Sequence, residues 1–499
     1  MRSSALRLVA LLVLATSLVG TTTGAVAAPQ PPQPRHQRPG QVRAQQAQPK
    51  PPAEQKLTLQ LRDMFVYRSE LSPFDRLRVS AILARPTQGA QDPEGDGYTA
   101  GSTKRCNPLI CVHYVTKGAD APRSSRWIRR TLRTMTTVWH HEVDRLGFRR
   151  PPRDGRRGGD SRFDVYLTDL GSRGLFGYCA PEHRVKGQRY AAYGYCVLDN
   201  DFARRQYDAA PNVSLKVTAA HEFFHAIQFG YDYRADPWLM ESTAVWMEES
   251  YADSADDNRR YLPYGQVHSP GVPLDEYSDA GYAQYGNWAF WQFLTDRYGA
   301  GLVRRVWNQV DAAKGGPARA SVPALSHVLD RVMHRKDALA AALTSFEVAN
   351  LHPGRSYPEG RQWPRAHLHA EARMRNRHGR RTLVMHVDHL AARDMMLRPP
   401  AQGARRRLRV SVAGPRRRAR VVLTVTRADG SIRHRALVLR RGTGRRTVDF
   451  SPGRVRSVVV TVVNTSQRYR CGRGTLLSCG GMPRDDGRRF AVTARVLTP

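Results

Sequence analysis

The segment AHEFFHAIQ, residues 220–228, contains two histidines four positions apart, with a glutamate directly after the first. Residues i and i+4 lie on one face of a helix, so His221 and His225 would point at a common spot. Two neutral imidazoles suit Zn²⁺, and Glu222 would lie beside the coordination position left for water. The pattern therefore predicts a zinc site in which Glu222 takes a proton from that water as it attacks a carbonyl carbon.

A helix with two packed or surface histidines is the alternative explanation of this motif. The flanking residues 217–220 and most of residues 223–227 are apolar or small, so the helix would be largely apolar. The three ionisable side chains of the motif would then be partly buried, which is costly without a partner. The flanks therefore favour a metal site over a chance occurrence of the motif.

A third metal ligand is predicted on the next helix. Asp236 followed by Pro237 is a helix start signal and predicts a helix over residues 237–251. If this helix runs antiparallel to the first, the short loop between them brings Glu241 over the two histidines. The result would be a His₂Glu zinc site with one position left for water.

Two more acidic residues follow on the same predicted helix. Glu248 shares the face of Glu241 and is expected to orient a ligand histidine from behind. Glu249 lies on another face, and we expect it to be a solvated charge.

The segments 220–228 and 238–249 resemble the gluzincin clan of zinc metallopeptidases, which includes thermolysin. The greatest likeness is to a group of secreted, mostly uncharacterised bacterial metallopeptidases, and it covers roughly residues 120–310. Three further segments share the likeness: 164–167, 198–202 and 285–291.

The resemblance implies roles for two other parts of the chain. An edge strand beside the active-site helix would pair with extended substrate, and residues 163–168 match it. A tyrosine from a later helix would stabilise the oxyanion, which implies Tyr285 or, failing that, Tyr282; packed aromatic side chains are the alternative for both. One departure is Ser242, which stands where many clan members have glycine.

The first residues predict a secretory signal peptide over residues 1–27. Arg2 and Arg7 precede an apolar run over 8–19, and small residues follow up to Ala27. A transmembrane anchor is the alternative, but the apolar run is too short to span a bilayer comfortably. Residues 28–56 are rich in Pro and Gln and predict a disordered linker. We therefore expect a secreted, extracellular protein with no transmembrane segment in its mature chain.

Cysteine usage agrees with export. The six cysteines fall into three close pairs, and pairing within each is the simplest set of disulfides. A cysteine metal site is the alternative, but no C-x-x-C spacing is present. The predicted disulfides are Cys106–Cys111, Cys179–Cys196 and Cys471–Cys479.

The predicted fold class is α+β, with two domains. A gluzincin-like zinc metallopeptidase domain over 57–355 would combine an edge-stranded sheet with active-site helices, and a basic β-sandwich over 380–499 would follow. Helical periodicity occurs over 124–147, 214–229, 237–251, 283–298 and 302–351, and strand patterns occur over 162–169 and 190–198. Short β-rich runs occur over 408–412, 419–426, 432–439, 447–450, 455–463 and 490–497.

The charge of the chain is strongly positive, with 79 Lys and Arg against 43 Asp and Glu. The excess is concentrated in the C-terminal part, where Asp429, Asp449, Asp485 and Asp486 are the only acidic residues after position 400. Such a region would contact polyanions or cell-wall polymers. An arginine bias without function is the alternative.

The sequence thus predicts a secreted zinc metalloendopeptidase that acts on proteins or peptides. Two other functions stay open: a non-catalytic secreted binding protein on the same scaffold, and a zinc hydrolase acting on cell-wall material. The intact Glu222 favours catalysis, since a scaffold that had lost activity could also have lost its base. Residues 57–120 either belong to the catalytic domain or act as an autoinhibitory segment.

Overall fold

The computed structural model describes residues 57–88, 96–375, 379–402 and 405–497. The predicted signal peptide and the predicted linker lie outside the described residues. Within the described part of the chain, no helix is both long enough and apolar enough to cross a membrane. Helices and several sheets are combined, which agrees with the predicted α+β class at that level.

The helices follow the chain from its first described residue to the start of the C-terminal sheets. They are α1 (Leu57–Tyr67), α2 (Pro73–Ile82), α3 (Ser125–Trp139), α4 (Arg204–Tyr207), α5 (Pro211–Asp232), α6 (Pro237–Ala252), α7 (Ala283–Gly286), α8 (Trp288–Tyr298), α9 (Gly301–Val310), α10 (Ser321–Val332), α11 (Ala338–Asn350) and α12 (Pro353–Ser356). A π-helical turn, His140–Arg145, continues α3.

The strands form an N-terminal and a C-terminal group. The N-terminal strands are β1 (Ser102–Cys106), β2 (Ile110–Val115), β3 (Phe163–Thr168), β4 (Gly177–Arg184) and β5 (Ala192–Asp199). The C-terminal strands are β6 (Ala370–Arg373), β7 (Arg380–Val387), β8 (Ala391–Arg398), β9 (Arg407–Ala413), β10 (Ala419–Arg427), β11 (Ile432–Ala436), β12 (Thr443–Asp449), β13 (Val455–Asn464), β14 (Tyr469–Arg470), β15 (Met482–Pro483) and β16 (Arg488–Leu497).

The N-terminal sheet has the strand order β1-β2-β3-β5-β4. Its three central strands are parallel, and the outer strands β1 and β4 run antiparallel to their neighbours. Helix α5 packs against β5 and β4, and α6 packs antiparallel beside α5. The sheet thus supports the helix that bears the two histidines.

The predicted edge strand over 163–168 is wrong. These residues form β3, the middle strand of the sheet, and all six are buried. The alternating pattern predicted a half-buried strand, but both of its faces are covered, and the buried Asp164 is paired with Arg85 and His113. The edge nearest to α5 is β4, for which the sequence predicts no strand.

The predicted helix over 283–298 is divided into α7 and α8. A side chain on Gly286 would collide with the backbone of Gly265 and with the carbonyl of Tyr261. The close approach of these two backbones explains why the chain has glycine at both positions. The predicted helical stretch over 302–351 is likewise divided, into α9, α10 and α11.

The C-terminal strands form two larger sheets, with the orders β11-β10-β13-β8-β6 and β12-β9-β16-β7. Inward-facing side chains of both sheets share one apolar cluster, which includes Val410, Leu423, Val460 and Phe490. The six predicted β-rich runs correspond to β9, β10, β11, β12, β13 and β16. Strands β6, β7 and β8 have no predicted counterpart, because arginines interrupt their apolar pattern.

Three disulfides are present, with the predicted pairing. Cys179 and Cys196 face each other on β4 and β5, and the third disulfide closes the loop around Ser478. This loop contacts the start of α6, since Ser478 Oγ and Cys479 N–H donate to the Asp236 carboxylate. The C-terminal region therefore holds the N-terminus of the helix that carries Glu241.

Candidate metal centre

Helices α5 and α6 bring His221, His225 and Glu241 together in the interior. The three side chains are between 0 and 2% exposed. The i, i+4 spacing places both imidazoles on the same face of α5, and Glu241 faces them from the second turn of α6. This is the arrangement on which the predicted ligand set depends.

The spacing of the ligand atoms is compatible with one small cation. His221 Nε2 lies 3.0 Å from His225 Nε2 and 3.4 Å from Glu241 Oε2, and the distance from His225 Nε2 to Glu241 Oε2 is 3.7 Å. Tetrahedral ligands held about 2.0–2.1 Å from a zinc ion would lie roughly 3.3–3.4 Å apart. The three distances bracket that value.

The carboxylate of Glu241 is buried beside the two imidazoles without a hydrogen-bond donor. It is completely buried, and neither of its oxygens accepts a hydrogen bond. Burial alone would raise the pKa of Glu241, but the adjacent His225 and His221 lower it to about 2. A buried carboxylate that stays ionised without a donor is costly, and a bound cation would satisfy it.

Two acceptors fix the orientation of the imidazole rings. His221 Nδ1 donates to Glu248 Oε1 at 2.6 Å, and His225 Nδ1 donates to Gln228 Oε1 at 2.7 Å. With the protons held on Nδ1, both Nε2 atoms would be free to coordinate a cation placed between them and Glu241. The structure thus places Glu248 against the imidazole of His221.

Gln228 was missed by the sequence analysis. Its amide nitrogen donates to the carbonyl of Met240 at 2.9 Å, so one side chain ties His225 on α5 to the residue before Glu241 on α6. Its position three residues after His225, on the same helix face, is the signal that could have found it.

Glu222 is also buried. Its Oε2 accepts a hydrogen bond from Thr58 Oγ1 at 2.9 Å. Burial raises the pKa of Glu222, and the neighbouring histidines partly offset this increase. Thr58, on α1, is 164 residues away in the sequence, and no local pattern pointed to it.

Two tyrosines lie near the Glu241 carboxylate. Tyr285 is completely buried, and its hydroxyl has no hydrogen-bond partner among the described residues. Burial, and then the negative charge of Glu241, raise the pKa of Tyr285 and of Tyr277 well above the ordinary value. Tyr282 is half-buried and packs among Tyr261, Tyr264 and Tyr285. Tyr277, for which the sequence predicts no role, thus lies near Glu241 as Tyr285 does.

Glu249 is not the solvated charge that was expected. It is 6% exposed and accepts a hydrogen bond from Asn258 Nδ2 at 2.7 Å. Burial raises its pKa to about 8, so the side chain is mostly protonated near neutral pH. It lies beyond the ligand group and has no contact with the histidines.

Two other groups of residues have ligand atoms close together. In the group Cys111, His113 and Asp164, the cysteine sulfur is in a disulfide and the aspartate is paired with Arg85. In the group Glu249, Asp253 and Glu359, Arg259 pairs with Glu359 at 2.7 Å. Each of these two groups therefore has at least one ligand atom that is already bonded or paired within the protein. Of these three groups of described residues, the His₂Glu group is the one whose buried carboxylate has no hydrogen bond at either oxygen.

No protein-family model matches the chain, and no curated protein is significantly similar to it. The chemistry of the centre therefore has to be inferred from its geometry.

Proposed function

We propose that this protein is a zinc-dependent peptidase of the gluzincin type, in which His221, His225 and Glu241 hold the metal. The observation that carries the proposal is the buried, unsatisfied carboxylate of Glu241 within 3.7 Å of both imidazole nitrogens. The donor set, two imidazoles and one carboxylate, is typical of catalytic zinc. In the same proposal, the two C-terminal sheets form a β-sandwich that follows the catalytic domain.

The residues of the centre suit hydrolysis of a peptide bond. A bound zinc ion would supply Lewis acidity, lowering the pKa of a coordinated water and polarising the substrate carbonyl. Glu222 accepts the proton of the attacking water and returns it to the leaving amine, and its raised pKa suits that exchange. The Tyr285 or Tyr277 hydroxyl donates a hydrogen bond to the developing oxyanion.

Strand β4 supports a peptide as substrate. It is the last strand of its sheet, on the side where α5 packs, so its outer backbone groups can pair with an extended chain. It takes the role that had been assigned to 163–168. Peptide addition to a sheet edge requires no particular side chain, which fits a protease better than a hydrolase of cell-wall sugars.

The test combines metal analysis with a variant of the base. Purified chain should bind one zinc ion and, either as isolated or after limited proteolysis, digest casein, and Glu222→Gln should keep the metal while losing about 10²–10⁴-fold in rate. Glu249→Gln is the matched control, because it changes a buried glutamate on α6 that is already mostly protonated. Bound zinc without any Glu222-dependent cleavage would reject the peptidase assignment.

Export is part of the proposal. Three disulfides close loops in both halves of the protein, and such bonds persist in oxidising compartments. We propose that the mature chain is secreted after cleavage following Ala27. Mass spectrometry of the protein recovered from culture medium tests this, and a chain retained with its first 27 residues would contradict it.

A second candidate function, polyanion binding, is favoured by one face of the β12-β9-β16-β7 sheet. Arg409, Arg495 and Arg380 occupy directly opposite positions on β9, β16 and β7, and all three are exposed. Like charges directly opposite each other destabilise a sheet. None of the three forms an ion pair with the described residues, so an external anion would offset the repulsion.

Salt-dependent retention on heparin tests this binding. Replacing the three arginines by glutamine should reduce the slope of log affinity against log salt by about 2–3. Replacing Arg126, Arg129 and Arg133, three exposed arginines on α3, changes the net charge equally and serves as the control. If both triple variants lowered this slope equally, heparin binding would depend on total charge alone and not on the face of the sheet.

A further inference from the structure

The metal centre is closed to substrate in this structure. Side chains of His221, Glu222, His225 and Glu241 are all between 0 and 2% exposed. A peptide carbonyl has to reach the ligand group and Glu222 in order to react. Some part of the protein must therefore move away before the proposed reaction can occur.

Helix α1 is placed where the substrate would have to bind. Thr58 Oγ1 donates to the carboxylate of Glu222, and the backbone N–H of Cys179 donates to Thr58 Oγ1 at 3.0 Å. Cys179 lies on β4, whose outer edge has no neighbouring strand among the described residues. The hydroxyl of Thr58 is therefore hydrogen-bonded both to the proposed catalytic base, Glu222, and to a backbone N–H of β4, the strand with which a peptide substrate would pair.

Other contacts seat α1 on the helix pair of the centre. The guanidinium of Arg62 donates to the carbonyl of Ala235 at 3.1 Å and contacts Met240 Sδ at 3.3 Å. The ring of Phe65 packs edge-on against Tyr233, with 5.2 Å between centroids. These contacts lie on both sides of the loop that joins α5 to α6. Helix α1 therefore covers the centre from strand β4 to the N-terminal end of α6.

We propose that α1 is an autoinhibitory segment that keeps the peptidase latent until it is displaced. This inference rests on the proposed function and answers the question left open for residues 57–120. The mechanism is competitive: Thr58 holds the proton-accepting oxygen of Glu222 and the N–H of Cys179, both of which substrate and water need.

The chain after α1 is suited to its release by proteolysis. Residues 69, 70, 72–74, 76 and 77 are exposed, and the side chains of Phe74 and Leu77 are 69% and 73% exposed. Exposed connections of this kind are preferred sites of cleavage. Further along the chain, the buried Arg85 forms ion pairs with Asp154, Asp164 and Glu182. These ion pairs fix the segment that follows α2 to the N-terminal sheet. A cut between residues 69 and 72, before α2 begins, would therefore free α1 and leave the rest in place.

The experiment uses full-length, zinc-loaded protein with a site for a sequence-specific protease inserted between Ser69 and Glu70. Two quantities are measured before and after cleavage: the rate at which a chelator removes zinc, and the hydrolysis of a quenched fluorescent peptide. We expect both to increase at least tenfold after the cut, with hydrolysis abolished by Glu222→Gln. The same site inserted between Arg416 and Arg417 is the control, and cutting there should change neither quantity.

Full-length variants provide an independent check that needs no cleavage. Thr58→Ala combined with Phe65→Ala should weaken the seating of α1 and accelerate zinc removal, whereas Phe490→Ala, in the C-terminal core, should not. Thr58→Ser keeps the hydroxyl and should behave as the parent. A fall in peptide hydrolysis in the Thr58→Ala variant, with zinc removal unchanged, would show that Thr58 positions the base and would overturn the inhibitory role.

The outcomes separate this inference from the proposed function. If zinc does not bind the uncut protein, the proposed function fails before α1 is tested. If zinc removal accelerates on cleavage but no peptide is hydrolysed, α1 does close the centre and the peptidase assignment fails. If uncut protein is fully active and cleavage and the double variant change neither quantity, the autoinhibitory role is rejected.

Discussion

Gln228 and Glu248 hold the two histidine rings from behind, each at a ring nitrogen that faces away from Glu241. Such partners set the tautomer as well as the angle of a ligand imidazole. They are buried along with the ligands, so solvent cannot replace their hydrogen bonds. The metal affinity of the centre should therefore depend on these two side chains.

Replacing Gln228 by alanine should weaken zinc binding about 10–100-fold, because His225 loses the acceptor that orients it. Competition with a chromophoric chelator measures the change. Gln266→Ala is the matched control, since Gln266 is also buried and also donates its amide to backbone carbonyls, but lies away from the centre. Equal zinc affinities in the two variants would refute the orienting role of Gln228.

At the residue scale, helical spacing alone was enough to place His221, Glu222, His225, Glu241 and Glu248 on two facing surfaces. Spacing is a local property, so it could not reveal Thr58, which meets Glu222 across 164 residues. The prediction that Glu249 is exposed to solvent was wrong, because nothing in the sequence indicates that Asn258 covers its side chain. Local patterns predict which residues share a helix face, whereas partners from distant segments depend on the tertiary fold.

At the element scale, α5 and α6 were predictable because they are long and begin at clear signals such as Asp236-Pro237. Strand β4 was not, because it runs GYCAPEHR and has a proline and three polar residues among few apolar ones. Its place at the edge of the sheet tolerates that composition. Alternation suggested a solvated face for β3, yet burial on both faces is typical of a central strand.

The division between α7 and α8 gives a prediction at this scale. Gly286→Ala should destabilise the protein by about 1–3 kcal/mol, because the new methyl group meets backbone atoms of Gly265 and Tyr261 that cannot easily shift. Denaturant unfolding measures the free energy. Gly301→Ala, at the start of α9, has nothing within 4 Å of the added carbon and should be neutral or slightly stabilising. A neutral Gly286→Ala variant would contradict the close approach of the two backbones.

At the scale of the whole molecule, the C-terminal sheets are fixed to the helical part by buried polar contacts. His389, which is 2% exposed, lies 2.8 Å from Asp275 of the helical part and 2.6 Å from Asp486 of the C-terminal part. Asp275 also accepts hydrogen bonds from Tyr469 and Ser478. The sequence predicted the β-rich C-terminal part and its charge. It could not predict the contacts of His389 and Asp275, because the residues that form them are far apart in the chain.

The His389 contact should make stability depend on pH. Burial alone would lower the pKa of His389, but its bonds to Asp275 and Asp486 raise it to about 9, above the ordinary value of 6.5. Its contribution is therefore fully present below about pH 6.5 and is lost as the pH rises through 9. The difference in unfolding free energy between the parent and His389→Gln should be largest near pH 6 and shrink above pH 9. A difference that grows with pH would contradict the charged form of His389.

X-ray absorption at the zinc edge, on the zinc-loaded protein, tests the central claim most directly because it reports the ligand atoms themselves. The proposed centre predicts one zinc ion per chain with only nitrogen and oxygen ligands, about 2.0–2.2 Å away, and two imidazoles among them. In the Glu241→Gln variant, the affinity for zinc should fall, while the two imidazoles should still be seen as zinc ligands. A sulfur ligand near 2.3 Å, fewer than two imidazoles in the parent, or a spectrum of hydrated zinc alone would contradict it.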